Sequence, residues 1–125
     1  MAYTDIDDPS AFFQTTLYTG NATNNTAYTN GGNSDLQPDL VWIKSRSNAD
    51  DHCWTDSVRG VTKCVASNDT STTNTDANAL KAFNSDGFTL GTSGGVNRNN
   101  GTFAAWQWKA GTSFTNDASG TSIGN

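Results

Sequence analysis

The apolar segments of this chain are short, and each is soon closed by turn-forming residues. The most regular, AFFQTTLY at 11–18 and TFAAWQWK at 102–109, span eight residues each and are followed within three residues by Gly20-Asn21 and Gly111. Helices need runs longer than roughly ten residues, so short runs bounded by Gly, Asn, Asp and Ser read as strands. Composition agrees. All 12 acidic residues are Asp and none is Glu, Lys is scarce, and Thr and Asn dominate. Thr fits a pleated surface through its branched Cβ, whereas Asn, Asp, Ser and Gly fit the turns between strands. A length of 125 residues allows one domain with a true core. Four Trp, six Phe and three Tyr supply that core with large apolar area from few positions.

The strands follow in order. Ala11 to Tyr18 is one, and Thr26 to Thr29 a short return. Leu40-Val41-Trp42-Ile43-Lys44-Ser45-Arg46, entered after Pro38, starts apolar on both faces and reads as a central strand. His52 to Ser57 and Val61 to Ser67 pair as a hairpin turning near Arg59-Gly60. Asn68 to Asn78 is almost wholly polar and reads as an exposed loop, with Asp76 placed to cap a helical turn. Leu80 to Phe83 and Phe88 to Gly91 form a second hairpin across Asn84-Ser85-Asp86-Gly87. In Thr102 to Lys109, Ala104, Trp106 and Trp108 share one face and Phe103, Ala105, Gln107 and Lys109 the other, and the Trp face is expected in the core. The fold expected is all-β, an antiparallel β-sandwich of jelly-roll type with seven to eight short strands over 11–111. An N-terminal arm (1–10) and a polar C-terminal tail or linker (112–125) flank it.

Net charge is −5 with no basic run, which leaves nothing to neutralise a phosphate backbone or an anionic membrane. No stretch approaches the roughly 20 apolar residues of a membrane span. The start, Met1-Ala2-Tyr3-Thr4-Asp5, has neither the charged nor the apolar region of a signal peptide. A surface poor in Glu and Lys nevertheless suits an exterior setting. Virion proteins, made inside a cell and released by lysis, reconcile the two.

The single His, His52, sits beside Cys53 on one strand and so points to the opposite face, a poor geometry for nucleophile and base. Asp residues lie in or next to turns, where they have structural work, and no phosphate-binding Gly loop opens a helix. The chain is expected not to be an enzyme and to carry no cofactor. Asp5, Asp7 and Asp8 form one acidic cluster and Asp50-Asp51 another; calcium is the metal they would take, but neither spacing matches a defined calcium loop. Cys53 and Cys64 face each other across the expected hairpin and are either a cross-strand disulfide or two inert thiols, a redox pair being disfavoured by their spacing. Trp54, His52 and Tyr28 are candidates for a sugar-stacking surface, with Trp54 as core the competing reading. The Asn-x-Thr triplets at Asn21, Asn24, Asn68 and Asn100 would accept glycans only in a eukaryotic secretory route.

Five ordered segments carry a resemblance. They are Phe13…Leu17-Tyr18-Thr19-Gly20-Asn21, then Gln37-Pro38-Asp39-Leu40-Val41-Trp42-Ile43-Lys44-Ser45-Arg46, then Asp56-Ser57-Val58-Arg59-Gly60, then Phe83-Asn84-Ser85-Asp86-Gly87-Phe88-Thr89-Leu90-Gly91, then Ala105-Trp106-Gln107-Trp108-Lys109-Ala110-Gly111. Together they resemble a domain of uncharacterised function that recurs in tail-fibre and other structural proteins of marine phages and is similar to concanavalin-like and SPRY-like β-sandwiches. The resemblance implies a fold and a biological setting and brings no catalytic residues. The function expected is a non-enzymatic structural subunit of a phage particle, whether tail fibre, capsid decoration or filament module. Its partners would be copies of itself and other virion proteins, without nucleic acid or membrane. A carbohydrate-binding adhesion module that recognises host surface glycans is the alternative.

Overall fold

The alternating segment at 102–109 becomes β9 (Thr102–Trp108), flanked by β1 (Phe13–Thr19) and β3 (Leu40–Ser45). These belong to an antiparallel six-stranded sheet that continues through β4 (Cys53–Asp56), β5 (Lys63–Ala66) and β6 (Asn74–Thr75), in the order β1-β9-β3-β4-β5-β6. A three-stranded antiparallel sheet, ordered β2-β8-β7, is built from β2 (Thr26–Tyr28), β7 (Leu80–Asn84) and β8 (Gly87–Leu90). The computed structural model describes residues 6–70 and 73–111. The first half of the expected 1–10 arm and all of the 112–125 tail lie outside them. The protein is all-β, and its two sheets form a sandwich.

The core lies between the sheets. Val41 and Ile43 of β3, Phe103 and Ala105 of β9 and Tyr18 of β1 pack with Leu80 of β7, Phe88 and Leu90 of β8 and Val96. Burial of such side chains contributes roughly 1.5–3 kcal/mol each. Toward the start of β1 the interior turns polar. Gln107, fully buried, donates from Nε2 to Thr16 Oγ1 at 3.0 Å and to Asn30 Oδ1. Gln14 Nε2 donates to the carbonyls of Ser10 and Ser34, and its Oε1 accepts from the Gly32 N–H. The 30–34 loop is thereby held over the inner face of β1.

Two turns show the local chemistry. After β4, the Asp56 carboxylate accepts from the N–H groups of Val58 and Arg59, and Gly60 takes φ +98° on the way into β5. In the β7–β8 hairpin Asn84 faces Gly87, so the strands reach further than the sequence implied and Ser85-Asp86 form the tip. Gly87 is required twice over, by φ +99° and by the Tyr28 carbonyl oxygen 2.1 Å from where a Cβ would stand.

The structure departs from expectation in four places. Trp106 and Trp108 do not face the core. They are half-buried on the outer side, while Phe103, Ala105 and Gln107 are fully buried opposite. The polar stretch at 68–78 contains β6, which adds to the sheet as Lys63 faces Thr75 and Cys64 faces Asn74. Asp76 caps no helix: its carboxylate accepts the Asn78 N–H and its carbonyl the Ala79 N–H, a tight turn into β7. A short helix, α1 (Gly94–Asn97), interrupts the segment before β9, and Asn97 locks it by donating to the carbonyls of Gly91 and Thr23.

Candidate functional site

Strand alternation sends one set of side chains to the outer face of the six-stranded sheet. Phe13, Thr15 and Leu17 come from β1, Trp106 and Trp108 from β9, Leu40, Trp42 and Lys44 from β3, and Trp54 from β4. The registers Thr15↔Trp106, Trp42↔Trp106 and Trp42↔Trp54 align one row across four strands, and Phe13↔Trp108 and Leu40↔Trp108 begin the next. All four Trp of the chain therefore lie on this face, each half-buried.

The rings form a ladder. Trp42 lies 4.5 Å from Trp54 with 15° between ring planes, and 4.5 Å from Trp106 with 35°. Trp108 stands 6.2 Å from Trp54, nearly parallel at 5°, and Phe13 tilts against it at 5.1 Å. A spacing close to the ~4.8 Å between strands means that the rings stand upright and lean on one another, with their edges turned to the outside. His52 closes one end: its Nδ1 accepts the Trp42 indole N–H at 3.1 Å, which leaves Nε2 as the imidazole's remaining donor. The Trp54 indole N–H is buried without an acceptor.

Charge sits around this face. Lys44 Nζ donates to the Asp50 carbonyl, and Asp56 pairs with Arg59. Burial pushes the Asp56 carboxyl up, but hydrogen bonds from the Arg59 N–H and guanidinium and from the Val58 N–H outweigh it and hold the group below its ordinary value. Asp8 is likewise held low by hydrogen bonds from the Ser34 and Ser10 hydroxyls and the Ser10 N–H.

Of the three candidate sugar-stacking residues, the structure brings together Trp54 and His52, both beside Trp42. Tyr28 is elsewhere. It lies on β2, its ring packs at 4.2 Å on Tyr18 between the sheets, and its hydroxyl reaches the Thr19 carbonyl and Asn97 Oδ1. Burial raises its pKa. Trp54 is not core either. Sequence reasoning missed Trp42, Trp106 and Trp108, although the parity of Trp42 with Lys44 marked an outward face.

Cys53 and Cys64 are joined as a disulfide with Cα atoms 5.6 Å apart. They project to the inner side of β4 and β5 and line a cavity of about 200 Å³ with Asp50, Asp51, Asn74 and Asp76. Asp50 pairs through Oδ1 with Arg98 at 2.8 Å while its Oδ2 is buried without a partner, and Asp51 accepts from Asn68 at 2.8 Å. Among the described residues no group of three or more His, Cys, Asp or Glu is placed to hold a metal ion. Nor is any helix there long and apolar enough to cross a membrane.

The family described as a domain of unknown function (DUF7483) matches residues 8–124. No curated protein and no solved structure matches the chain.

Proposed function

We propose that this chain, which belongs to the DUF7483 family, is a non-enzymatic structural subunit of a phage particle that associates with copies of itself and with other virion proteins. The observation that carries the reading is the outer face of the six-stranded sheet, where every Trp of the chain is only partly buried, with no second layer of described residues above it. Large outward aromatic surface is characteristic of the centre of protein interfaces. The phage setting is supported by the resemblance of the five ordered segments to virion proteins, and with it goes a location on the particle, outside the host after lysis.

The ladder's geometry favours a protein partner over a sugar. A sugar ring stacks on an open aromatic face, and here the faces of Trp42 are covered by Trp54 and Trp106. What Trp42 leaves outward is its ring edge, which suits close packing by another protein surface. Light scattering on the purified protein over a range of concentrations tests this. A stable multimer is expected, unchanged by reductant because Cys53 and Cys64 pair within one chain. A strict monomer that binds on a glycan array would replace the structural role with host-glycan adhesion.

A further inference from the structure

We infer that the open edge of β1 is where two copies of this chain join, by antiparallel pairing of β1 with itself about Thr15. The inference rests on the self-association proposed above and names its surface.

Sheet edges that are left open invite pairing, and proteins blunt them with charge, bulges or brevity. Three of the four edges here are blunted: β6 has two residues, β2 has three, and β7 carries Lys81 at an irregularity in its register. β1 is different. It runs seven residues, FQTTLYT, with no charge, no Pro and an unbroken register against β9, and among the described residues it ends the sheet. The chain's net charge of −5 is thus kept off this strand.

The direction of its free groups can be read from its ends. The Phe12 carbonyl accepts from the Lys109 N–H and the Gly20 N–H donates to the Gly101 carbonyl, so even-numbered residues turn toward β9. By alternation, Phe13, Thr15 and Leu17 turn their N–H and C=O groups outward. The next in the series, Thr19, already accepts the Tyr28 hydroxyl. Only one symmetric register uses the three free residues and leaves Thr19 alone. It sets Thr15 against Thr15 of the partner subunit, and Phe13 against Leu17 of the partner subunit. Each facing pair exchanges two hydrogen bonds, about six in all.

The side chains agree. Phe13 is 42% exposed and Leu17 62% exposed, on the same outer face as the Trp ladder. Pairing covers each with the other, an aromatic–aliphatic cross-strand contact at both ends of the junction. It also joins two Trp faces into one surface of twice the width.

Cysteine cross-linking of the full chain tests the register, with mass spectrometry to identify the linked residues. In the H-bonded register the facing Cα atoms are about 5.5 Å apart, within bridging range, so Thr15→Cys should form a reductant-sensitive dimer about tenfold more than Val58→Cys, a control 94% exposed. Phe13→Cys and Leu17→Cys should link when mixed and not alone. Leu17→Lys, a change at an exposed position, should weaken association about tenfold while the monomer stays folded. A multimer by light scattering in which Thr15→Cys does not link, or Phe13→Cys links to itself, overturns the edge pairing and leaves the structural role standing. A wild-type chain that stays monomeric at every concentration overturns both.

Discussion

The two faces of β9 carry opposite burdens with unexpected residues. On the inner side Phe103, Ala105 and Gln107 are wholly buried, while on the outer side the larger Trp106 and Trp108 are only partly buried. What differs is the cover. Inside, the three-stranded sheet and α1 supply Phe88, Leu90, Leu80 and Val96 across a gap only about 10 Å wide, which favours Phe, Val, Ile and Ala over a row of indoles. Outside, no described element lies over the ladder, so the rings find cover only in each other. The comparison teaches that the position of the second layer, more than side-chain size, decides which face of a strand is core. It also implies that the inner face holds the fold and the outer face is available for contact.

Truncating one residue on each face should separate those roles most sharply. Phe103→Ala should cost about 3–5 kcal/mol, because it leaves a cavity in a packed interior. Trp106→Ala should cost only about 1–2 kcal/mol, the value of one ring stack and partial burial. Urea titration followed by far-UV circular dichroism measures both, and equal losses would break the distinction between the faces. Trp106→Ala should nonetheless reduce association in light scattering.

A subtler probe replaces the buried amide of the inner face. Gln107 Oε1 is buried without a partner, and the amide's bonds are to Thr16 and Asn30, which also bond each other. Gln107→Leu removes the unsatisfied oxygen as well as those bonds, so stability should move by less than about 1 kcal/mol in the same titration. A loss comparable to that of Phe103→Ala would show that the polar network holds the inner face as firmly as the apolar core does.

The smallest effect lies at the rim. Because the folded Asp56 carboxyl sits below its ordinary value of 3.8, its contribution is present well above that pH and lost as pH falls through 3.8 to the lower folded value. Asp56→Asn should flatten that part of the acid limb of stability against pH. An unchanged acid limb would remove Asp56 from the account.

Much of this was legible in the sequence. The strands at 11–18, 40–46 and 102–109, both hairpins and the sandwich follow from short apolar runs and turn residues. The facing of β9 was not. Gln107 and Lys109 made the Phe103 side look like the polar one, whereas Gln107 is buried by bonds to Thr16 and Asn30, residues 91 and 77 positions away in the chain. No local pattern reports so distant a partner. β3 held the better clue, since Trp42 shares its parity with Lys44 and Val41 and Ile43 share theirs with Ser45. Tyr28 was misread because a short strand of three residues gives no periodicity to show which way its ring turns. β6 escaped notice because Asn and Thr without apolar neighbours look like loop.

Since all four Trp stand on the outer face, their fluorescence reports on that face alone. The decisive measurement is acrylamide quenching of Trp emission across a concentration series, with mass followed by light scattering on the same samples. Edge pairing through β1 leaves the ladder open in a dimer, so the account predicts that quenching falls as mass rises above that of two chains, because further association covers the ladder. Mass that rises beyond two chains while the Trp residues stay as open to quencher as in the monomer would contradict it.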